Sequence, residues 1–243
     1  MKFGDWVNRK RHNRGFGIQS PSTFFFITQV LKEKLPYYAY GTIEDFAQTC
    51  NDMSAERAKE LFRITNYMQP SSCIAVNSPI AACAMAAARP TAASCHITDG
   101  GSTPGTVAAK LAAMGCKAID GKAAELVAQH TTGNGEPSML FIGYCNNRTE
   151  ILETALKHAH ENSVIIIDGI DADNVPVVTL KRLDLQYVPV LNRESVRRIA
   201  HNCKNKSMLI FGINDRNVDF EIGHAHVVTA IVTVRGKFFG DIF

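Results

Sequence analysis

Between residues 73 and 168, short apolar or β-branched runs alternate with helical patterns, and this rhythm restricts the chain more than any single motif does. The runs are "CIAV" (73–76), "CHIT" (95–98), "KAI" (117–119), "MLFIG" (139–143) and "VIIID" (164–168). Between them lie "AACAMAAA", "PGTVAAKLAAM", "KAAELVAQH" and "RTEILETALKHAH", which read as helices. A strand that must cross a helix before the next strand cannot pair with it through a tight turn. The repeated βα order therefore predicts an α/β chain with a mostly parallel sheet covered by helices on both faces.

The flanks differ from this middle. Residues 1–70 read as a helical extension, and 71–243 as the main domain. "PSTFFFITQVLKEKL" opens on a helix-start signal, and "MSAERAKELFRITNYMQP" carries Ser54 at the N-cap position and stops at Pro70. Trp6, Phe24, Phe25 and Phe26 are expected to be buried there. After Asp168 come "VVTLKRL", "LQYVPVL", a helical "RESVRRIAHN" and a strand "SMLIFGI" (207–213). "HVVTAIVTV" (226–234) and 237–242 then read as an antiparallel hairpin turning at Arg235-Gly236. Residues 172–206 read as an insertion or a rearranged region.

Charge and cysteine usage narrow the function classes. Residues 1–35 hold seven Lys/Arg against two Asp/Glu, while the rest of the chain is close to neutral. The Lys10, Arg11 and Arg14 cluster and "NRESVRRIAHNCKNK" lack interleaved aromatics, so both read as solvated faces and nucleic acid is not an expected partner. The seven cysteines stand singly with no C-x-x-C pair, as reduced, buried thiols do in a cytoplasmic protein. No apolar run approaches the ~20 residues that span a bilayer, and no membrane association is expected.

The order of βα units ending in an antiparallel hairpin resembles the Rossmann-like sheet of class I S-adenosylmethionine-dependent methyltransferases. Local motifs carry the likeness further. "RHNRGFGIQSP" followed by "PYYAY" is similar to the leader of a branch of small methyltransferase-like proteins of Bacteroidetes, and "LFRITNYMQPSSCIAV", "HITDGG", "MLFIGYCN" and "SVIIIDGI" continue the resemblance. Whether "VIIID" or "MLIFG" is the fifth strand of that family stays open.

The resemblance implies S-adenosylmethionine as cofactor and places its site on Val76, Asn77, Ser78, Ala81, Asp99, Gly100, Asp120 and Gly143. It also shows what is missing. The family's first strand ends in an acid, and its loop carries two glycines; here those positions are Ala75, Asn77 and Ala81. Asn77 can hold a left-handed turn, whereas Pro79, Ala81 and Ala82 narrow the space beside it. Asp99 stands where a carboxylate would accept from the ribose hydroxyls, or else caps the helix after "GGSTPG". Gly100 reads as a turn glycine. Asp120 is either an adenine contact or part of an Asp-Gly turn. The acid at the end of the family's fourth strand is replaced by Gly143, and the histidine beyond it by Asn146 or Asn147, so no catalytic base and no metal site is expected. Asp168 and Asp171 are the candidates for a substitute metal pair. His158, His160, His224 and His226 read as structural or solvated.

Three functional readings follow. The first is a methyltransferase-like pseudoenzyme kept for binding or scaffolding, with a small molecule or a protein as partner and homo-oligomers as an open possibility. The second is an active methyltransferase whose chemistry rests on positioning. The third is an anionic-surface or nucleic-acid binder acting through the basic N-terminus.

Overall fold

The computed structural model describes residues 25–131, 136–158 and 163–170, and beyond them the strands 179–182, 185–189, 207–212, 217–222 and 229–235. A π-helical turn, Phe26–Leu31, leads into helices α1 (Tyr40–Thr49) and α2 (Ala55–Met68). Ser54 caps α2 as its sequence predicts, its hydroxyl accepting from the Arg57 N–H at 3.4 Å. The helix stops at Gln69, which turns left-handed with φ 51° ahead of Pro70. Phe26 is buried against Tyr67, but Phe25 is 48% exposed, contrary to expectation, because consecutive residues of a helical turn cannot all face inward. Trp6 and Phe24 lie outside the described residues.

The βα units follow in the predicted order: β1 (Ser72–Val76), α3 (Pro79–Ala88), β2 (Ala93–Asp99), α4 (Gly105–Ala113), β3 (Cys116–Gly121), α5 (Ala123–Thr131), β4 (Ser138–Ile142), α6 (Arg148–His158) and β5 (Val164–Ile170). They make a parallel sheet in the order β3-β2-β1-β4-β5, the doubly wound, Rossmann-like arrangement whose direction of winding reverses between β1 and β4. Strand alternation divides the core. Cys73, Ala75, Met139, Phe141, Val164 and Ile166 pack with α1, α2, α3 and α4. Ile74, Val76, Leu140, Ile142, Ile165 and Ile167 pack with α5 and α6 on the other face. Helix α3 is almost wholly buried, and its run of alanines lets α2 and the sheet approach it closely from opposite sides.

The sheet continues past β5 with β8 (Ser207–Gly212), β10 (Thr229–Arg235) and β9 (Asn217–Ile222). "VIIID" is the fifth strand, parallel to β4, and "SMLIFG" lies antiparallel on its outer side. Of the expected terminal hairpin, the first arm forms β10. β10 is flanked by β8, parallel, and by β9, antiparallel, while residues 237–242 lie outside the described residues. β9 was not expected, although "NVDFEI" alternates apolar and polar residues as a half-buried strand does. A separate two-stranded ribbon, β6 (Thr179–Arg182) with β7 (Leu185–Pro189), lies within the region read as an insertion. The helical reading of "RESVRRIAHN" falls outside the described residues.

Candidate functional site

In a doubly wound sheet, ligands bind outside the carboxyl ends of the strands, where the winding reverses. Here that point is the turn after β1. Asn77 takes φ 51°, the left-handed conformation its sequence allows. Its side chain adds what glycine would lack, since Oδ1 accepts from the Asp99 N–H at 2.8 Å and ties β1 to the end of β2. Ser78 caps α3, accepting from the Ala81 N–H at 3.3 Å, and Pro79 occupies the first turn, where no N–H is needed. Ala81 and Ala82 are buried, and so is Ala75, which faces the core beside His96.

The end of β4 closes onto this turn. The Gly143 N–H donates to Val76 O at 2.9 Å, and a Cβ at Gly143 would stand 2.9 Å from Val76 O and 3.0 Å from Asn77 O. Asn77 Nδ2 reaches Tyr144 O at 3.5 Å, and Arg148 Nε donates to Gly143 O at 3.1 Å. The position where the resembled family carries an acid is thus one where this backbone leaves no room for a side chain.

Asp99 is engaged at both oxygens. Oδ1 accepts from the Ala123 N–H and Oδ2 from Asn147 Nδ2, each at 3.0 Å. It therefore caps α5, the helix that follows the neighbouring strand β3, and not the helix after "GGSTPG". Gly100 does take a turn conformation, with φ 71°. Asp120 turns to the loop after β2, accepting from the Thr103 N–H at 3.0 Å and the Thr103 hydroxyl at 3.2 Å. The same hydroxyl lies 2.7 Å from Thr98 Oγ1 and 3.3 Å from His96 Nδ1. His96 is buried, and burial holds its pKa down at about 4 against a weaker upward pull from Asp120.

Two charged residues from outside the βα units complete the site. The Asp52 carboxyl accepts from the Ser78 hydroxyl and from the Ile80 N–H, so the chain's own acid sits on the amino end of α3. Burial raises the Asp52 pKa, the hydrogen bond from Ser78 opposes this, and nearby Asp168 adds to it. Asp168, at the end of β5, is buried and ion-paired with Arg57 from the first turn of α2. Neither Asp52 nor Arg57 is among the candidates that the sequence marks. "CNDMSAER" holds no local sign of either contact, because Ser78 lies 26 residues from Asp52 and Asp168 lies 111 from Arg57.

Asp171 lies outside the described residues, so its pairing with Asp168 does too. No three His, Cys, Asp or Glu converge on a metal position among the described residues. Cys73, Cys83, Cys95 and Cys116 are buried in the sheet and α3, and burial pushes each thiol up to about 12. That shift leaves a thiolate fraction roughly a thousandfold below that of a free cysteine. Iodoacetamide at pH 8, read by peptide mass spectrometry, should therefore leave these four unlabelled until the protein is unfolded. Rapid labelling of any of them in the native state would show the packing around it to be open.

No protein-family model and no curated protein matches the sequence. Among solved structures, the chain is similar to the O-methyltransferase TomG from Streptomyces achromogenes in complex with SAM, with 18% identity over 60% of this chain and 70% of that one and a TM-score of 0.44. It is similar to the O-methyltransferase from Bacillus cereus in complex with SAH at 17% identity, 59% and 70% coverage and a TM-score of 0.41. The SAH-bound methyltransferase PaMTH1 of Podospora anserina shows 12% identity, 85% and 92% coverage and a TM-score of 0.46. No helix among the described residues is long and apolar enough to cross a membrane.

Proposed function

We propose that this chain is a methyltransferase-like protein that no longer binds S-adenosylmethionine in the usual way and serves as a binding or scaffold protein. One observation carries the reading: the carboxylates and strand-end backbone groups around the crevice are already engaged with groups of this chain. Asp52 takes donors at the amino end of α3, Gly143 is sealed against Val76, and Asp99 is held by Ala123 and Asn147. A cofactor carboxylate would compete with Asp52, and a ribose diol would compete with two hydrogen bonds on Asp99. Its ammonium group would find neither an acid at the buried Ala75 nor one at Gly143. The residues present do not fit the cofactor. Partners on this reading are a small molecule or a protein, and self-association is compatible with it.

The retained left-handed turn at Asn77 and the carboxylate at the end of β2 favour the second reading, an active methyltransferase. Calorimetric titration and thermal shift with S-adenosylmethionine and S-adenosylhomocysteine separate the two. A ligand at ~100 times its dissociation constant stabilises by about 2.7 kcal/mol, so a true site would be plain. The expected result is no heat and no shift at millimolar ligand. Micromolar binding that Asp99→Ala abolishes would overturn the pseudoenzyme reading and leave the active one.

A further inference from the structure

We propose that residues 52–57 form a strap that closes the crevice and is latched at both ends, so that access to it is controlled by the chain itself. Asp52 holds Ser78 and the Ile80 N–H just beyond β1, and Arg57 holds Asp168 at the end of β5. Between β1 and β5 in the sheet lies only β4. Two strand spacings are about 10 Å, a distance five residues span easily. The segment therefore runs across the carboxyl end of β4, where Gly143 meets the Asn77 turn.

Its middle is anchored too, since Met53 is 7% exposed and belongs to the core on that face of the sheet. Ser54 then starts α2, so the strap passes directly into a helix packed on α3. The two latches differ in strength of attachment. The Asp52 residue is exposed apart from its inward-turned carboxyl, whereas the Arg57 and Asp168 side chains are 20% and 11% exposed. The strap therefore opens first at Asp52, at the amino end of α3, and the Ser54 contacts of the Arg57 and Ala58 N–H groups loosen with it. This inference concerns access and holds for whatever the crevice accepts.

Hydrogen exchange on the full chain tests it. Asp52→Ala removes one latch. Arg57→Gln together with Asp168→Asn removes the other without leaving a buried charge unpaired. Each is expected to speed exchange at Arg57, Ala58, Ile80 and Ala81 at least tenfold while Ile74 and Leu140 in the central strands stay within twofold of wild type. Unchanged exchange at those four amides, or an equal rise everywhere, would overturn the strap. If a variant does not fold, wild-type exchange in dilute urea serves instead: the four amides should open with a smaller urea dependence than Ile74 and Leu140, and a shared dependence would overturn it. Adding S-adenosylhomocysteine to the opened variants keeps the two conclusions apart. Opening without binding supports the strap and shows that the crevice does not take this nucleoside.

Discussion

Gly143→Asp, which places an acid at the end of β4, is expected to lower stability by about 3 kcal/mol or more. The Cβ would meet two backbone carbonyl oxygens, Val76 O at 2.9 Å and Asn77 O at 3.0 Å, and neither can swing aside as a flexible side chain would. Overpacking of this kind costs about 1–3 kcal/mol. The carboxylate adds a charge at a buried position facing oxygens, and desolvation makes that worse. Relief requires breaking the Gly143 N–H to Val76 O bond and moving the Asn77 turn, which also carries Asp99. Urea denaturation reads the result as a lower midpoint at unchanged slope, with Gly143→Ala falling between aspartate and wild type. A loss below 0.5 kcal/mol for the aspartate variant would mean that the β1 and β4 ends are looser than described.

Between pH 6.5 and about 4, burial of His96 is expected to remove roughly 3 kcal/mol of stability. In the unfolded chain the imidazole takes up a proton near its ordinary pKa of 6.5, whereas in the folded protein burial keeps it neutral down to about 4. The unfolded state binds more protons throughout that window, so stability falls as pH falls, at about 1.4 kcal/mol per unit of pKa difference. The structure explains the reluctance to protonate. His96 is 2% exposed, Thr103 Oγ1 is its contact at Nδ1, and Nε2 has no hydrogen-bond partner among the described residues. Asp52 and Glu60 act in the opposite sense, because burial raises their carboxyl pKa values and the folded state gains protons there as pH falls. Comparing wild type with His96→Gln isolates the histidine. The variant should lose less stability than wild type between pH 7 and 4.5, and equal losses would assign the acid sensitivity to other groups.

Local pattern determined a large part of this molecule. The strands from "CIAV" to "VIIID", the helices between them, the Ser54 cap and the left-handed Asn77 were all legible, because each depends on residues within one turn or one strand spacing. The absence of an acid at Ala75 and of glycine at Asn77 and Ala81 was legible for the same reason. Tertiary structure decided what these residues meet. "VIIID" and "SMLIFG" are equally apolar, and only pairing put the first beside β4 and the second antiparallel outside it. β9 entered the sheet on an alternation too short to stand out in a sequence rich in apolar runs. Asp99 was placed by its type but not by its partner, since the helix it caps begins 24 residues later. Gly143 looks like a simple loss until the Val76 and Asn77 carbonyls are seen against it. Asp52 and Arg57 carry no local mark, because a carboxylate on a helix 26 residues away and a guanidinium on a strand 111 residues away are set by how layers stack, which periodicity along the chain does not encode.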